Sequence, residues 1–144
     1  MADTVFVLNG PNLNLLGLRE PEIYGHDTLD DIADGLHDQA LALDLTIDLR
    51  QSNHEGHLID WLHEANALPV KAVLLNAGGL THTSVALHDA IKSITVPVIE
   101  VHLSNPHRRE DFRHRSYVGM AAKGTIAGFG RLSYALALDA AAKL

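Results

Sequence analysis

The sequence predicts an α/β fold: a five-stranded parallel sheet covered by helices on both faces. Two observations predict it. Short apolar, β-branched runs alternate five times with longer segments of helical period, and such alternation means strands joined by crossover helices. Runs such as Thr4–Leu8 and Lys71–Leu75 are apolar almost throughout, as strands buried on both faces must be.

Thr4 to Leu8 reads as the first strand, ending at Asn9. Gly10 to Asp27 has neither period and reads as a long loop, of a length usually kept for function or motion. Thr28 to about Leu43 places Leu29, Ile32, Ala33, Leu36, Ala40 and Leu43 on one helical face. Thr28 suits the N-cap, and Asp30 and Asp31 suit the positive end of the helix dipole. Leu45–Leu49 is the second strand. His54 to about Ala67 is a helix with Leu58, Ile59, Leu62 and Ala65 inward. Lys71–Leu75 is the third strand and Thr81–Ile94 the next helix. Val96–Val101 is the fourth strand, with Pro97 tolerated near its start. Leu103 to about Ala122 is irregular. Thr125–Phe129 is a short fifth strand, and Arg131–Leu144 closes the chain as a helix. Right-handed crossovers leave few topologies, and the flavodoxin-like order 2-1-3-4-5 is expected.

The 144 residues suit one domain, 1–144. Lys plus Arg number 11 and Asp plus Glu 18, a formal net charge of −7; such a chain repels phosphate backbones, so no nucleic-acid partner is expected. Cysteine is absent, which excludes disulfides, thiolate nucleophiles and cysteine-held metals. No apolar run approaches membrane-spanning length and no signal peptide is visible; a cytoplasmic protein without a membrane partner is the expectation.

In this class of sheet, ligands bind beyond the carboxyl ends of the strands. Strand one delivers Asn9-Gly10-Pro11-Asn12, strand two Arg50 to Gly56, strand three Asn76 to Ser84, and strand four Glu100-Val101-His102 followed by Ser104-Asn105. Ala77-Gly78-Gly79 before a helix starting near Thr81 would suit a carboxylate or phosphate, although a plain turn capped by Thr81 explains the segment equally well. Glu100 and His102 lie two apart on a strand and share a face; a carboxylate there can fix the imidazole tautomer and its charge. Arg19 and Tyr24 sit in the long first loop. A guanidinium beside a phenol favours the phenolate and makes it a base, and the chain has only three tyrosines.

Other chemistries lack their residues. His54 and His57 are three apart, but no H-E-x-x-H follows, and no metal is expected. Lys71, Lys92, Lys123 and Lys143 all avoid the strand ends, which argues against a Schiff base. No G-x-S-x-G or Walker loop is present.

The motifs resemble those of the type II 3-dehydroquinate dehydratases. The likeness lies in N-G-P-N-L-N-L-L-G-L-R-E-P-E-I-Y-G from Asn9 to Gly25, R-Q-S-N-H-E-G from Arg50 to Gly56, N-A-G-G-L-T-H-T-S-V-A-L-H-D-A from Asn76 to Ala90, E-V-H-L-S-N from Glu100 to Asn105, and R-E-D-F-R-H-R-S from Arg109 to Ser116. The resemblance implies reversible anti dehydration of 3-dehydroquinate to 3-dehydroshikimate through an enolate-type intermediate, in the shikimate pathway, with no cofactor and no metal. It implies Tyr24 as the base, Arg19 as its charge partner, and His102 as the acid with Glu100 as partner. Asn12 would position a water. Asn76, His82 and Asp89 would meet substrate hydroxyls, Leu103 and Ser104 the carboxylate, and Arg113 the hydroxyl side. It also implies trimers assembled into a homododecamer. A base on a loop lets the site close over substrate and exclude water, so Arg19–Tyr24 is expected to belong to a mobile lid. Gly79-Leu80 stands where many members have Ala-Tyr, and His57 replaces a common acidic residue. The competing readings are a flavodoxin-like nucleotide-, flavin- or phosphate-binding module, favoured by Gly78-Gly79 and Gly128-Phe129-Gly130, and an oligomeric scaffold.

Overall fold

Strand and helix periods bury complementary faces. In the computed structural model, which describes residues 2–144, the strands are β1 (Asp3–Asn9), β2 (Leu45–Gln51), β3 (Ala72–Asn76), β4 (Val98–His102) and β5 (Gly124–Ala127). Every neighbouring pair is parallel, and the order is β2-β1-β3-β4-β5, as expected. The helices are α1 (Pro21–Tyr24), α2 (Leu29–Ala42), α3 (Glu55–Ala67), α4 (Val85–Lys92), α5 (Tyr117–Ala121) and α6 (Arg131–Ala142).

Strand side chains alternate between faces, so the sheet supports two cores. Val5, Val7, Leu74, Ile99 and Val101 pack with Ile32, Leu36 and Ala40 of α2 and Tyr134, Ala137 and Leu138 of α6. Phe6, Leu8, Val73, Leu75 and Val98 pack with Leu58 and Leu62 of α3 and Leu87, Ala90 and Ile91 of α4. Each fully buried leucine stabilises the fold by roughly 1.5–3 kcal/mol. Truncating a central one such as Leu74 would disturb both the strand and its helices.

Several boundaries differ from the sequence reading. The expected Thr81–Ile94 helix is two elements, a 3-10 turn over Gly78–His82 and then α4. Ser84 breaks the run: its backbone is extended, and its Oγ caps α4 by accepting from Leu87 N at 2.9 Å. The helix start near Thr81 that was to receive an anion is therefore not a free helix end. Strand β4 begins after Pro97, and β5 ends before Gly128, whose φ of +98° departs from strand geometry. The long first loop is partly structured, with a 3-10 turn at Leu13–Leu15 and α1 opened by Pro21. The stretch after β4 carries 3-10 turns at Pro106–Arg108 and Asp111–Arg113 before α5. Among the described residues, no helix is long and apolar enough to cross a membrane.

Candidate active site

The loops after β1 and β3 close on each other at the carboxyl edge. Gly10 N donates to Asn76 O at 2.8 Å, and a Cβ on Gly10 would come within 2.4 Å of Ala77 O. Gly78 has φ +61°, and a Cβ there would meet Pro11 O at 2.8 Å. Only glycine permits both the approach and that backbone. Gly79 differs: a Cβ at that position meets nothing within 4 Å, so alanine would fit there. Asn12 follows in a left-handed conformation, and its N–H donates to Asn53 Oδ1 at 3.0 Å.

Beyond this floor lies a cavity of about 130 Å³ between the β1, β3 and β4 loops. Asn12, Arg19, Tyr24, Asn76, His82, His102, Leu103, Ser104 and Arg113 line it. Most residues singled out from the sequence thus meet in one place. Glu100 lies behind His102 rather than on the wall. Asp89 is not brought in: on α4 it is exposed and bonded to His88 Nδ1 at 2.9 Å. The end of β2 also contributes no wall residue. Arg50 is turned to Asp48 and Glu64 and stacked over Phe6, while Gln51 Nε2 supports the β1 loop at Gly10 O.

Arg109 is the wall residue that the sequence reading left without a role. Its Nη1 donates to Ser104 Oγ at 3.2 Å, and its Nε is buried without a partner among the described residues. The sequence places Arg109 at the start of the R-E-D-F-R-H-R-S segment, in a basic pair with Arg108, but gives it no role of its own. Arg19 and Arg109 bracket Tyr24, their Cζ atoms 4.8 and 5.0 Å from the ring centre. Such contacts place positive charge around the phenol.

His102 Nε2 lies 2.8 Å from Glu100 Oε2, both side chains buried. Ser116 Oγ donates to the same carboxylate oxygen and Thr125 Oγ1 to the other. Burial pushes the Glu100 carboxyl upward, but the hydrogen bond and charge of His102, with the two hydroxyl donors, outweigh it and leave the group below its ordinary value. An ionised Glu100 accepts from Nε2–H, which leaves Nδ1 outside that bond. His82 is set oppositely. Burial lowers its pKa, the Arg113 and His102 charges lower it further, and the bond to Arg115 O opposes them. That carbonyl, 2.8 Å from Nδ1, can only accept, so neutral His82 offers Nε2 as an acceptor to a hydroxyl.

Three guanidiniums and two imidazoles line the cavity, and among the described residues no carboxylate does. In a protein of net charge −7, that concentration marks a site for a small organic anion. A flavodoxin-like sheet carrying a cationic cavity, a buttressed imidazole and a tyrosine between guanidiniums at its carboxyl edge has the build of an α/β enzyme. Residues 3–142 match the family described as Dehydroquinase class II. The 3-dehydroquinate dehydratase of Rhizobium johnstonii is 59% identical over 140 residues, covering 97% of this chain and 96% of that protein. The crystal structure of the type II dehydroquinase from Propionibacterium acnes superposes with a TM-score of 0.96 at 42% identity, covering 100% of this chain and 99% of that one. That of the Butyrivibrio crossotus type II dehydroquinase gives 0.95 at 37% identity, covering 97% of each. The chain belongs to the class II dehydroquinases.

Proposed function

We propose that this protein is a hydro-lyase that reversibly dehydrates 3-dehydroquinate to 3-dehydroshikimate, a step of the shikimate pathway. The observation that carries the reading is one cavity holding a bracketed tyrosine, a carboxylate-backed histidine and three arginines. Family membership supplies the substrate, and the cationic wall fits its carboxylate.

Tyr24, as phenolate, takes a proton from C2 beside the ketone. The electron pair moves onto the carbonyl oxygen as an enolate, which a water held by Asn12 stabilises with a hydrogen bond. Arg19, with Arg109, keeps positive charge beside the phenolate. The enolate then expels the C1 hydroxyl, and His102 delivers the proton that lets it leave as water. Glu100 holds the imidazole for this role. Asn76 and His82 meet ring hydroxyls, the backbone at Leu103 and Ser104 meets the carboxylate, and Arg113 the hydroxyl side. Proton abstraction and proton delivery are thus assigned to different elements, the first loop and the end of β4.

The cover over the site is assigned to Arg19–Tyr24. Helix α1 buries no residue, and it lies between Glu20 at φ +40° and Gly25 at φ +83°. Its amides should exchange with solvent faster than those of β3 in the free protein and slow markedly when a substrate analogue binds. Equal protection with and without ligand would contradict a lid.

We further propose that one domain, 1–144, carries the reaction in the cytoplasm, and that the assembly is a homododecamer built from trimers. Exposed Phe112, Phe129, Leu41 and Leu132 offer apolar surface for such contacts. The elimination itself is tested with 3-dehydroquinate deuterated at the C2 position anti to the leaving hydroxyl. The product should contain no deuterium and form with a primary isotope effect; full retention of the label would contradict anti abstraction.

A further inference from the structure

Beneath the cavity, three buried side chains form a chain of hydrogen bonds joining β1, α6 and β3. It begins at Asn9. Its Nδ2 donates to two backbone carbonyls, Arg50 O at 3.1 Å and Val7 O at 3.4 Å. Carbonyls only accept, so the polarity of the Asn9 amide is fixed by the sheet, and its Oδ1 must face the other way. That oxygen accepts from the Tyr134 hydroxyl at 2.6 Å. A hydroxyl has a single proton. With it committed to Asn9, Tyr134 presents only a lone pair to its other neighbour. Asn76 Nδ2 donates to that lone pair at 2.9 Å. Asn76 Oδ1 consequently turns the other way and accepts from Gly78 N at 3.3 Å.

We propose that Tyr134 is a positioning residue: its hydroxyl passes the amide polarity of Asn9 to Asn76, and so fixes which end of the Asn76 amide meets a substrate hydroxyl. The inference rests on the reading above that Asn76 contacts the substrate. A flipped Asn76 would set its oxygen against the Tyr134 lone pair and its N–H₂ against the Gly78 N–H, two like-to-like contacts in a buried setting. Asn9, Asn76 and Tyr134 are 0, 4 and 1% exposed, so no bulk water stands by to repair such a mismatch. Burial drives the Tyr134 pKa above the usual tyrosine range, against the smaller effect of the Asn76 bond. The group stays a neutral donor, suited to orientation and unsuited to proton transfer. The cavity is thereby offered a preset remainder of the Asn76 amide: one N–H and one lone pair.

Tyr134→Phe removes only the hydroxyl. It should raise KM for 3-dehydroquinate by roughly 5–20-fold, the range of one lost orienting contact, while kcat stays within about twofold. Asn76→Ala should raise KM by itself. In the Asn76→Ala background, Tyr134→Phe should then add almost nothing, because its effect runs through Asn76. The same KM factor in both backgrounds, an unchanged KM, or a fall in kcat at constant KM would each overturn the proposal while leaving Asn76 as a substrate contact. An Asn76→Ala enzyme with normal KM would overturn the Asn76 reading first, and this inference with it. The wild-type protein gives a second readout should the variant fail to fold. One Asn76 side-chain amide proton should exchange slowly and show an NMR contact to the Tyr134 hydroxyl; rapid exchange of both amide protons would overturn the proposal.

Discussion

Tyr24→Phe should lower turnover by about 10²–10⁴-fold, the usual contribution of a positioned base, while substrate still binds. The ring is kept, and with it the guanidinium contacts of Arg19 and Arg109 at 4.8 and 5.0 Å. Only the oxygen that would accept the C2 proton is lost. The C2 hydrogen is weakly acidic, so abstraction by water would be slow and the enolate would rarely form. Calorimetric titration should give a dissociation constant within about threefold of the wild type, since a group acting only in the transition state contributes little to ground-state binding. Turnover within about twofold of the wild type would remove Tyr24 as the base. Binding lost together with turnover would instead make Tyr24 a binding residue.

His102→Ala should lose turnover on the same scale, about 10²–10⁴-fold, because hydroxide is a poor leaving group without a proton donor. Some binding should go too, since the imidazole is part of the cavity wall. Glu100→Gln separates orientation from charge. Glutamine fills the same space but cannot be an anion for Nε2, so a loss of roughly 10–100-fold is expected. Stability should report the same carboxylate. The folded-state pKa of Glu100 lies below its ordinary value of 4.5. Its contribution is therefore fully present above that pH and is lost as pH falls through the depressed folded value. Denaturation curves should show wild type more stable than Glu100→Gln near neutrality, with the gap closing as the solution becomes strongly acidic. A gap that widens on acidification would mean that Glu100 is held protonated.

The architecture was legible because hydrophobic period reports burial directly. The apolar runs of β1 and β3 and the stripe on α2 named both the sheet and its covering layers, and sheet order followed from connection rules. Four strand ends then pointed to one site; the end of β2 stays out of its wall, but Asn12, Tyr24, Asn76, His82 and His102 do meet there. Local breaks were less legible. Ser84 interrupts a run whose apolar spacing continues through it, because a side-chain cap competes with the helix and leaves no trace in hydrophobic period. Arg109 stood in a resemblance motif without a role, since only tertiary folding buries its Nε and sets its guanidinium against Tyr24. Tyr134 lies in the closing helix, and nothing in the sequence singled it out. Its partners, Asn9 and Asn76, are 125 and 58 residues away in the chain. Asp89 shows the converse: a motif position fixed by resemblance, whose side chain points away from the cavity of its own chain.

This chain's own side chains should suffice to dehydrate 3-dehydroquinate. Ultraviolet absorbance of purified protein mixed with 3-dehydroquinate reads this out, with chelator in one cell and, in another, protein first incubated with 3-dehydroquinate and borohydride together and then desalted. A rise from the conjugated enone of 3-dehydroshikimate, undiminished by either treatment, is the expected result. A flat trace from folded protein, or a signal abolished by the chelator or by borohydride, would contradict it.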